Sequence, residues 1–303
     1  MEIGWAPPVS GSWATLANIA RVARRAEELG YRTLWTFQRV LFTEERAMQP
    51  AYASVLDPLI TLGTLAGLTD RIRLGVAVVN APFYAPVILA GQLTTLDVLS
   101  GGRLTAGLGL GWSPDEFAAV GVPLRDRGRR LDEFVRCIDT IWTQQVVEFE
   151  GDFYRIPSSH IDPKPVQRPR PPMLLGGMAE PALRRAGRLA DGWISSSRAD
   201  FEQIRAGIAI VREAATQAGR DPDALQVVCR GVVRLRPAGD PEARLLTGPL
   251  ERIREDLERL SSLGVTETFV DLNFDEEVGS PDVDPAEAMR RGGELLEALA
   301  PGA

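Results

Sequence analysis

Three glycines at alternate positions, Gly107, Gly109 and Gly111, punctuate the stretch LDVLSGGRLTAGLGLGWSPDE, Leu96 to Glu116, which otherwise reads as a buried strand running into a helix start. A strand end without Cβ atoms lets a flat ligand or another backbone approach the main chain directly. Small residues also fill the layers of a narrow barrel, so a ligand-facing reading and a packing reading both stay open. The residues that follow, Ser113-Pro114-Asp115-Glu116, have the form of a capping box with proline in the first turn. That form assigns the Glu116 carboxylate to backbone amides ahead of proton transfer.

A second glycine-bearing site ends the stretch PPMLLGG, where Gly176 and Gly177 precede another helix start. The amides of residues 177–180 then face outward as free donors, suited to a phosphate. The next strand ends in Ser195, Ser196 and Ser197 with Arg198 beyond, which adds hydroxyls and one fixed positive charge. Capping of the following helix by Ser197 is an equal reading of that serine.

Other chemistry is thinly provided. The chain has one histidine, His160, and two cysteines, Cys137 and Cys229, far apart in sequence. No cluster has zinc or iron spacing, so no metal is expected. The cysteines read as free buried thiols of a reducing compartment, and His160 as a hydrogen-bonding loop residue. Trp112 is the tryptophan expected to meet a ligand, whereas Trp5, Trp35 and Trp193 read as core or pocket wall. The net charge of -7 is spread along the chain with no basic stripe, which excludes nucleic acid as an expected partner. No apolar run has the length of a membrane span or the form of a signal peptide, so no membrane association and a cytoplasmic location are expected.

Positioning these groups requires a regular scaffold, and the hydrophobic period supplies one. Apolar runs suited to strands fall at Ile3–Pro8, Thr33–Phe37, Ile72–Asn80, Leu104–Gly109, Met173–Gly177, Gly192–Ser196, Leu225–Leu235 and Glu267–Asn273. Each is followed by a helical stretch: Ala14–Leu29, Pro58–Thr69, Tyr84–Leu99, Arg127–Thr143, Pro181–Ala190, Phe201–Ala218, Leu250–Leu263 and Pro285–Leu299. Asp57-Pro58 and Asp284-Pro285 supply capping carboxylates before first-turn prolines, and Gly30 and Gly101 follow helices as left-handed caps. Eight βα units close into an α/β fold, a (β/α)8 TIM barrel. The chain reads as a single domain, 1–303, with an insertion at about 146–172 before the fifth strand, centred on a hairpin at Val146–Ile156. Active sites of such barrels lie at the carboxyl ends of the strands, where Gln38–Asp57, Leu110–Asp126 and Phe274–Asp284 are long loops. The acidic run Asp275–Asp284 reads as a solvated rim.

The stretches RIRLGVAVVNAPFYAP, LDVLSGGRLTAGLGLGW, PKPVQRPRPPMLLGG and AGRLADGWISSS resemble the luciferase-like monooxygenase superfamily, and within it the oxidoreductases that use the deazaflavin coenzyme F420. The resemblance runs nearly end to end. It implies a barrel of the bacterial luciferase type that holds a reduced deazaflavin, or alternatively FMN, at its mouth. It further implies a bulge at the end of the third strand, often with a non-prolyl cis peptide, behind the ring; Ala77, Val78 and Asn80 are the matching positions. Gly107, Gly109 and Gly111 would lie beside ring and tail, with Gly176, Gly177, Ser196 and Arg198 toward the phosphate. Where some members carry an Asp-His pair and a glutamate for proton transfer, this chain has Gln38-Arg39 and Trp112. A guanidinium stays charged and an indole only donates, so Arg39 and Trp112 are expected to bind and shape a flat or anionic small-molecule substrate. The implied activity is hydride transfer between reduced F420 and a small organic substrate. An FMN monooxygenase, a non-enzymatic flavin or deazaflavin binder and a carrier without a redox cofactor are the alternatives. A homodimer is expected from the resemblance alone.

Overall fold

Strand and helix alternate along the chain as their periodicities require, and the strands close on themselves. A computed structural model describes residues 1–43, 48–239 and 244–302. Its barrel strands are β1 Glu2–Trp5, β2 Thr33–Thr36, β3 Arg73–Val76, β4 Leu104–Gly109, β5 Met173–Gly176, β6 Gly192–Ile194, β7 Gln226–Val232 and β8 Glu267–Asp271. Each pairs in parallel with its successor and β8 pairs with β1, so the barrel has no free edge. The outer helices are α1 Leu16–Glu28, α2 Pro58–Leu68, α3 Pro86–Leu99, α4 Arg127–Thr143, α5 Glu180–Leu189, α6 Phe201–Gln217, α7 Leu250–Ser262 and α8 Pro285–Ala298. The expected strands run one to four residues too far at their carboxyl ends in seven of eight cases, because those residues turn outward to form the mouth.

Local chemistry explains the helix boundaries. Asp57 accepts from the amides of Leu59 and Ile60 at 2.9 Å each, and Asp284 from those of Ala286 and Glu287 at 3.0 Å each. The cap of α6 is Asp200, which forms a reciprocal box with Gln203, so the capping reading of Ser197 is corrected and that serine is left at the mouth. Along α1 the buried residues Ile19, Val22, Ala23 and Ala26 keep the helical period and face the sheet. Burial of a side chain such as Ile19 or Val22 contributes about 1.5–3 kcal/mol. Inside the barrel, Trp35 stacks on Phe269 with ring centroids 5.4 Å apart.

The insertion is a hairpin of Val147–Glu150 against Arg155–Ser159. The Glu133 carboxylate of α4 accepts from the amides of Asp152, Phe153 and Tyr154 at 2.7–2.9 Å, which fastens the turn to the barrel. His160 is exposed beyond the hairpin. The acidic loop after β8 differs from the expected solvated rim. Asp275 is 2% exposed and paired with Arg236, because the loop folds inward over the end of β1. Val9 and Ser10 donate their amides to Asn273 there. Among the described residues, no helix is long and apolar enough to cross a membrane.

At the opposite end of the barrel, Glu27 of α1 accepts from the amides of Asp70, Arg71 and Ile72 at 3.0, 2.6 and 2.8 Å. Burial opposes its charge, but the three amides outweigh that cost and hold the carboxyl below its ordinary value. A lowered folded pKa means the stabilisation is complete at neutral pH and fades as acid protonates the folded carboxylate. The substitution Glu27→Gln is therefore expected to destabilise the fold by about 1 kcal/mol at pH 7. Urea denaturation of both proteins at pH 7 and pH 3 checks this; a gap that does not shrink in acid contradicts it.

Candidate active site

A cavity of about 430 Å³ opens where β2 to β7 end, at the carboxyl face of the barrel. Its back wall is a bulge between Val76 and Val79, where the Ala77–Val78 peptide is cis. The chain then rejoins the sheet as Val79–Asn80, paired with Leu108 and Gly109 of β4. Ala77, Val78 and Asn80, the positions that the family resemblance implies, all line the cavity. Gln38 holds the bulge from the neighbouring strand end: its Oε1 accepts from the Asn80 amide at 2.8 Å, and its Nε2 donates to the Tyr84 hydroxyl at 2.6 Å.

The glycines make room for that bulge. A Cβ on Gly107 would lie 1.9 Å from the Val76 carbonyl oxygen, and one on Gly109 would lie 2.4 Å from Val78 Cγ2. A Cβ on Gly176 would meet Val78 Cγ1 at 3.1 Å. Gly107 is thus corrected from a cofactor-facing position to a packing one, since it does not line the cavity. Gly109, Gly111, Gly176 and Gly177 do line it. Gly111 takes φ +73° where Phe117 and Phe83 crowd its backbone, a conformation that L side chains rarely adopt.

Arg39 is spoken for. Its guanidinium makes a side-on pair with Glu116, with Nε donating to Oε1 at 2.6 Å and Nη2 facing Oε2. The two side chains are 4% and 1% exposed. Glu116 also accepts from the Val40 amide at 2.7 Å. The Ser113 half of the capping box forms, with Oγ accepting from the Glu116 amide, but the Glu116 side chain turns to the loop after β2. The expectation that Arg39 offers a free charge to a substrate is corrected accordingly, because a buried carboxylate already compensates it. The guanidinium is flanked by Trp112 and Tyr52, 4.9 and 5.0 Å from the two ring centroids. Trp112 is 53% exposed and lines the cavity. Residues 44–47 of the same loop, within the long stretch Gln38–Asp57, lie outside the described residues.

The sequence reading misses Arg230 and Asp271. Arg230 of β7 donates through Nε and Nη2 to Asp271 of β8 at 2.9 and 2.7 Å, and through Nη1 to the Ala77 carbonyl at 3.4 Å. Phe37 and Phe274 pack on its guanidinium at 4.6 and 4.4 Å. One signal was available, a single charge within each of the apolar runs QVVCRGVV and TFVDLNF.

The opposite end of the cavity suits an anion. No backbone carbonyl pairs with the amides of Met178 or Ala179 among the described residues, and the helix α5 has no side-chain cap. Ser196, Ser197 and Arg127 complete that end. Arg198 is exposed and lines a neighbouring cavity instead, which corrects its assignment to this one. The apolar wall of Ala77, Val78, Leu110 and Ile194, with open amides beyond, fits a planar ring carrying a phosphate.

Proton transfer has few candidates here. No histidine, cysteine or lysine lines the cavity among the described residues, and its one carboxylate, Glu116, is held by Arg39. Burial pushes the Cys229 thiol up to about 11 and the Cys137 thiol up to about 12, so both stay protonated at neutral pH. Replacement of Glu116 by Gln leaves the buried Arg39 charge without its partner, and a loss of about 3 kcal/mol or more is expected in urea denaturation. Adding Arg39→Met to Glu116→Gln should restore part of that loss; equal stability of the wild type and the single variant would contradict the pairing.

The family described as luciferase-like monooxygenase matches residues 3–244. An uncharacterised protein of Mycobacterium tuberculosis (strain ATCC 25618 / H37Rv) is 35% identical over 214 residues, covering 67% of this chain and 75% of that protein. An FMNH(2)-dependent dimethylsulfone monooxygenase of Pseudomonas putida is 32% identical over 229 residues, covering 71% of this chain and 61% of that protein. The solved structure of an F420-dependent secondary alcohol dehydrogenase in complex with an F420-acetone adduct matches with a TM-score of 0.78 at 17% identity, over 98% of each chain, a likeness of fold. Because the family match runs from the first strand past the seventh, and so includes every strand end that walls the cavity, the chain belongs to the luciferase-like monooxygenase family.

Proposed function

We propose that this protein is an oxidoreductase that moves a hydride between reduced F420 and a small organic substrate held in the barrel mouth. The observation that carries the reading is an apolar slot against the Ala77–Val78 bulge with no free carboxylate, imidazole, thiol or amine on its described wall. Hydride transfer asks the protein mainly for position and dryness, whereas proton transfer needs a titratable group within reach. The deazaflavin, when bound, supplies the hydride. Ala77 and Val78 support the rear of the slot, while the amides of Met178 and Ala179 with Ser196 hold the phosphate. Arg230, compensated by Asp271, bonds the Ala77 carbonyl and so helps to hold the bulge in place. Trp112 and Tyr52 close the solvent side.

A second reading, an FMN-dependent monooxygenase, is favoured by the likeness to the dimethylsulfone monooxygenase. The deazaflavin reacts poorly with oxygen, so the two readings separate by experiment. Titration of the protein with F420 and with FMN, followed spectroscopically, should give tight binding of F420 and no oxygen consumption on its reduction. Tight FMN binding with oxygen uptake and no F420 binding overturns the first reading in favour of the second, and binding of neither overturns both. The variant Gly109→Val should weaken F420 binding by about tenfold or more, because its side chain displaces Val78 into the slot. Unchanged binding by the folded variant, judged by its melting temperature, contradicts the placement.

A further inference from the structure

Beyond Arg230 the mouth continues into two more cavities, of about 250 and 390 Å³, between the loops after β6, β7 and β8. The nearer one shares Ser197 and Arg230 with the redox cavity and adds Arg198, Arg234 and Arg244. The farther one shares Gln49, Arg234 and Arg244 with the nearer one, so the three adjoin along one trough. Five arginines thus line the two cavities, in a chain of net charge -7.

The charges along the trough fall into two groups. Arg230 is compensated by Asp271, and Arg236 by Asp275 and Glu277. Arg198, Arg234 and Arg244 have no ion pair among the described residues. Of the carboxylates on the walls, Asp200 accepts from the amide of Gln203 at 2.8 Å as the cap of α6, and Glu276 sits exposed at the outer end. Arg234 is half-buried and gives one Nη2 hydrogen bond, to the Phe274 carbonyl at 3.0 Å. Burial lowers its pKa; Asp275 and Glu276 oppose that shift, and Arg244 and Arg236 add to it. A partly buried guanidinium beside like charges is costly unless an anion joins it, and its planar fork matches an oxyanion in two-point geometry.

We propose that the Arg234–Arg244 trough anchors an oxyanion of the substrate, a carboxylate, phosphate or sulfonate, and that the rest of the substrate passes Arg230 into the redox cavity. The proposal rests on the oxidoreductase reading for the second half of that statement, and on the arginines alone for the first. Arg230 acts as the divider: neutralised by Asp271 and faced by Phe37 and Phe274, it offers a flat wall along which an apolar portion can lie. Arg198 at the trough entrance adds attraction for the approaching anion.

Calorimetric titration of sodium phosphate, acetate and methanesulfonate at low ionic strength into the wild type and into Arg234→Gln/Arg244→Gln tests the anchor. At least one anion should bind the wild type, with affinity about tenfold or more weaker in the double variant, and the anion with the largest difference identifies the group. Should the double variant fail to fold, the exposed Arg244→Gln alone carries the same comparison. Binding of none of the three anions to the wild type, or equal affinities in wild type and variant, overturns the proposal. Parallel titrations with F420 and FMN separate the two readings. Cofactor binding without an arginine-dependent anion overturns the trough and supports the redox site; an arginine-dependent anion with neither cofactor bound supports the trough and overturns the redox site.

Discussion

The turn of the chain at Ala77 and Val78 is the constraint around which the barrel mouth is built. A strand that leaves the sheet by a bulge and returns within a few residues must push backbone and side chain into its neighbours. Here the neighbours yield because β4 and β5 have no Cβ where Val76 and Val78 arrive, at Gly107, Gly109 and Gly176. The bulge in turn sets Ala77 and Val78 as a smooth apolar surface facing the cavity, with the Asn80 amide tied to Gln38. Bare positions on two strands thus act indirectly, since they admit the element that would carry the ligand.

Electrostatics then shapes what the apolar surface faces. Arg39 with Glu116 joins the loop after β2 to the short helix after β4, and Arg230 with Asp271 joins two strands under the cavity. Pairing of this kind gives little net stability, but removal of one partner leaves a buried charge exposed to a low dielectric. Each pair fixes the position of an aromatic group, Trp112 and Tyr52 on Arg39 and Phe37 and Phe274 on Arg230. The ionisable groups at the centre are therefore structural and compensated. The unpaired arginines lie to one side of them, which divides the mouth into an apolar slot and a basic trough.

Much of the scaffold was legible in the residue order. Leu104–Gly109 and Arg127–Thr143 have the boundaries that their periodicity indicates, and the caps Asp57 and Asp284 act where an Asp-Pro pair marks a helix start. These features arise from interactions within a turn or two of chain, so composition and spacing report them. The open amides after β5 were legible as positions, because strand ends face the mouth in any closed barrel of this kind, whereas the bulge residues were legible only through the family resemblance. The role of Gly107 was not, since a missing Cβ does not say which group fills the space.

Sequence alone determined the strand-helix alternation, its closure into a barrel and the strand ends at which chemistry is done. Only the tertiary structure decided that Arg39 meets Glu116, 77 residues away, that Arg230 touches the carbonyl of Ala77, 153 residues away, and that Arg198, Arg234 and Arg244 share a wall. The physical reason is one of range. Hydrophobic period and capping are repeated by neighbours along the chain, whereas the partner of a charge depends on which loops the closed barrel brings face to face.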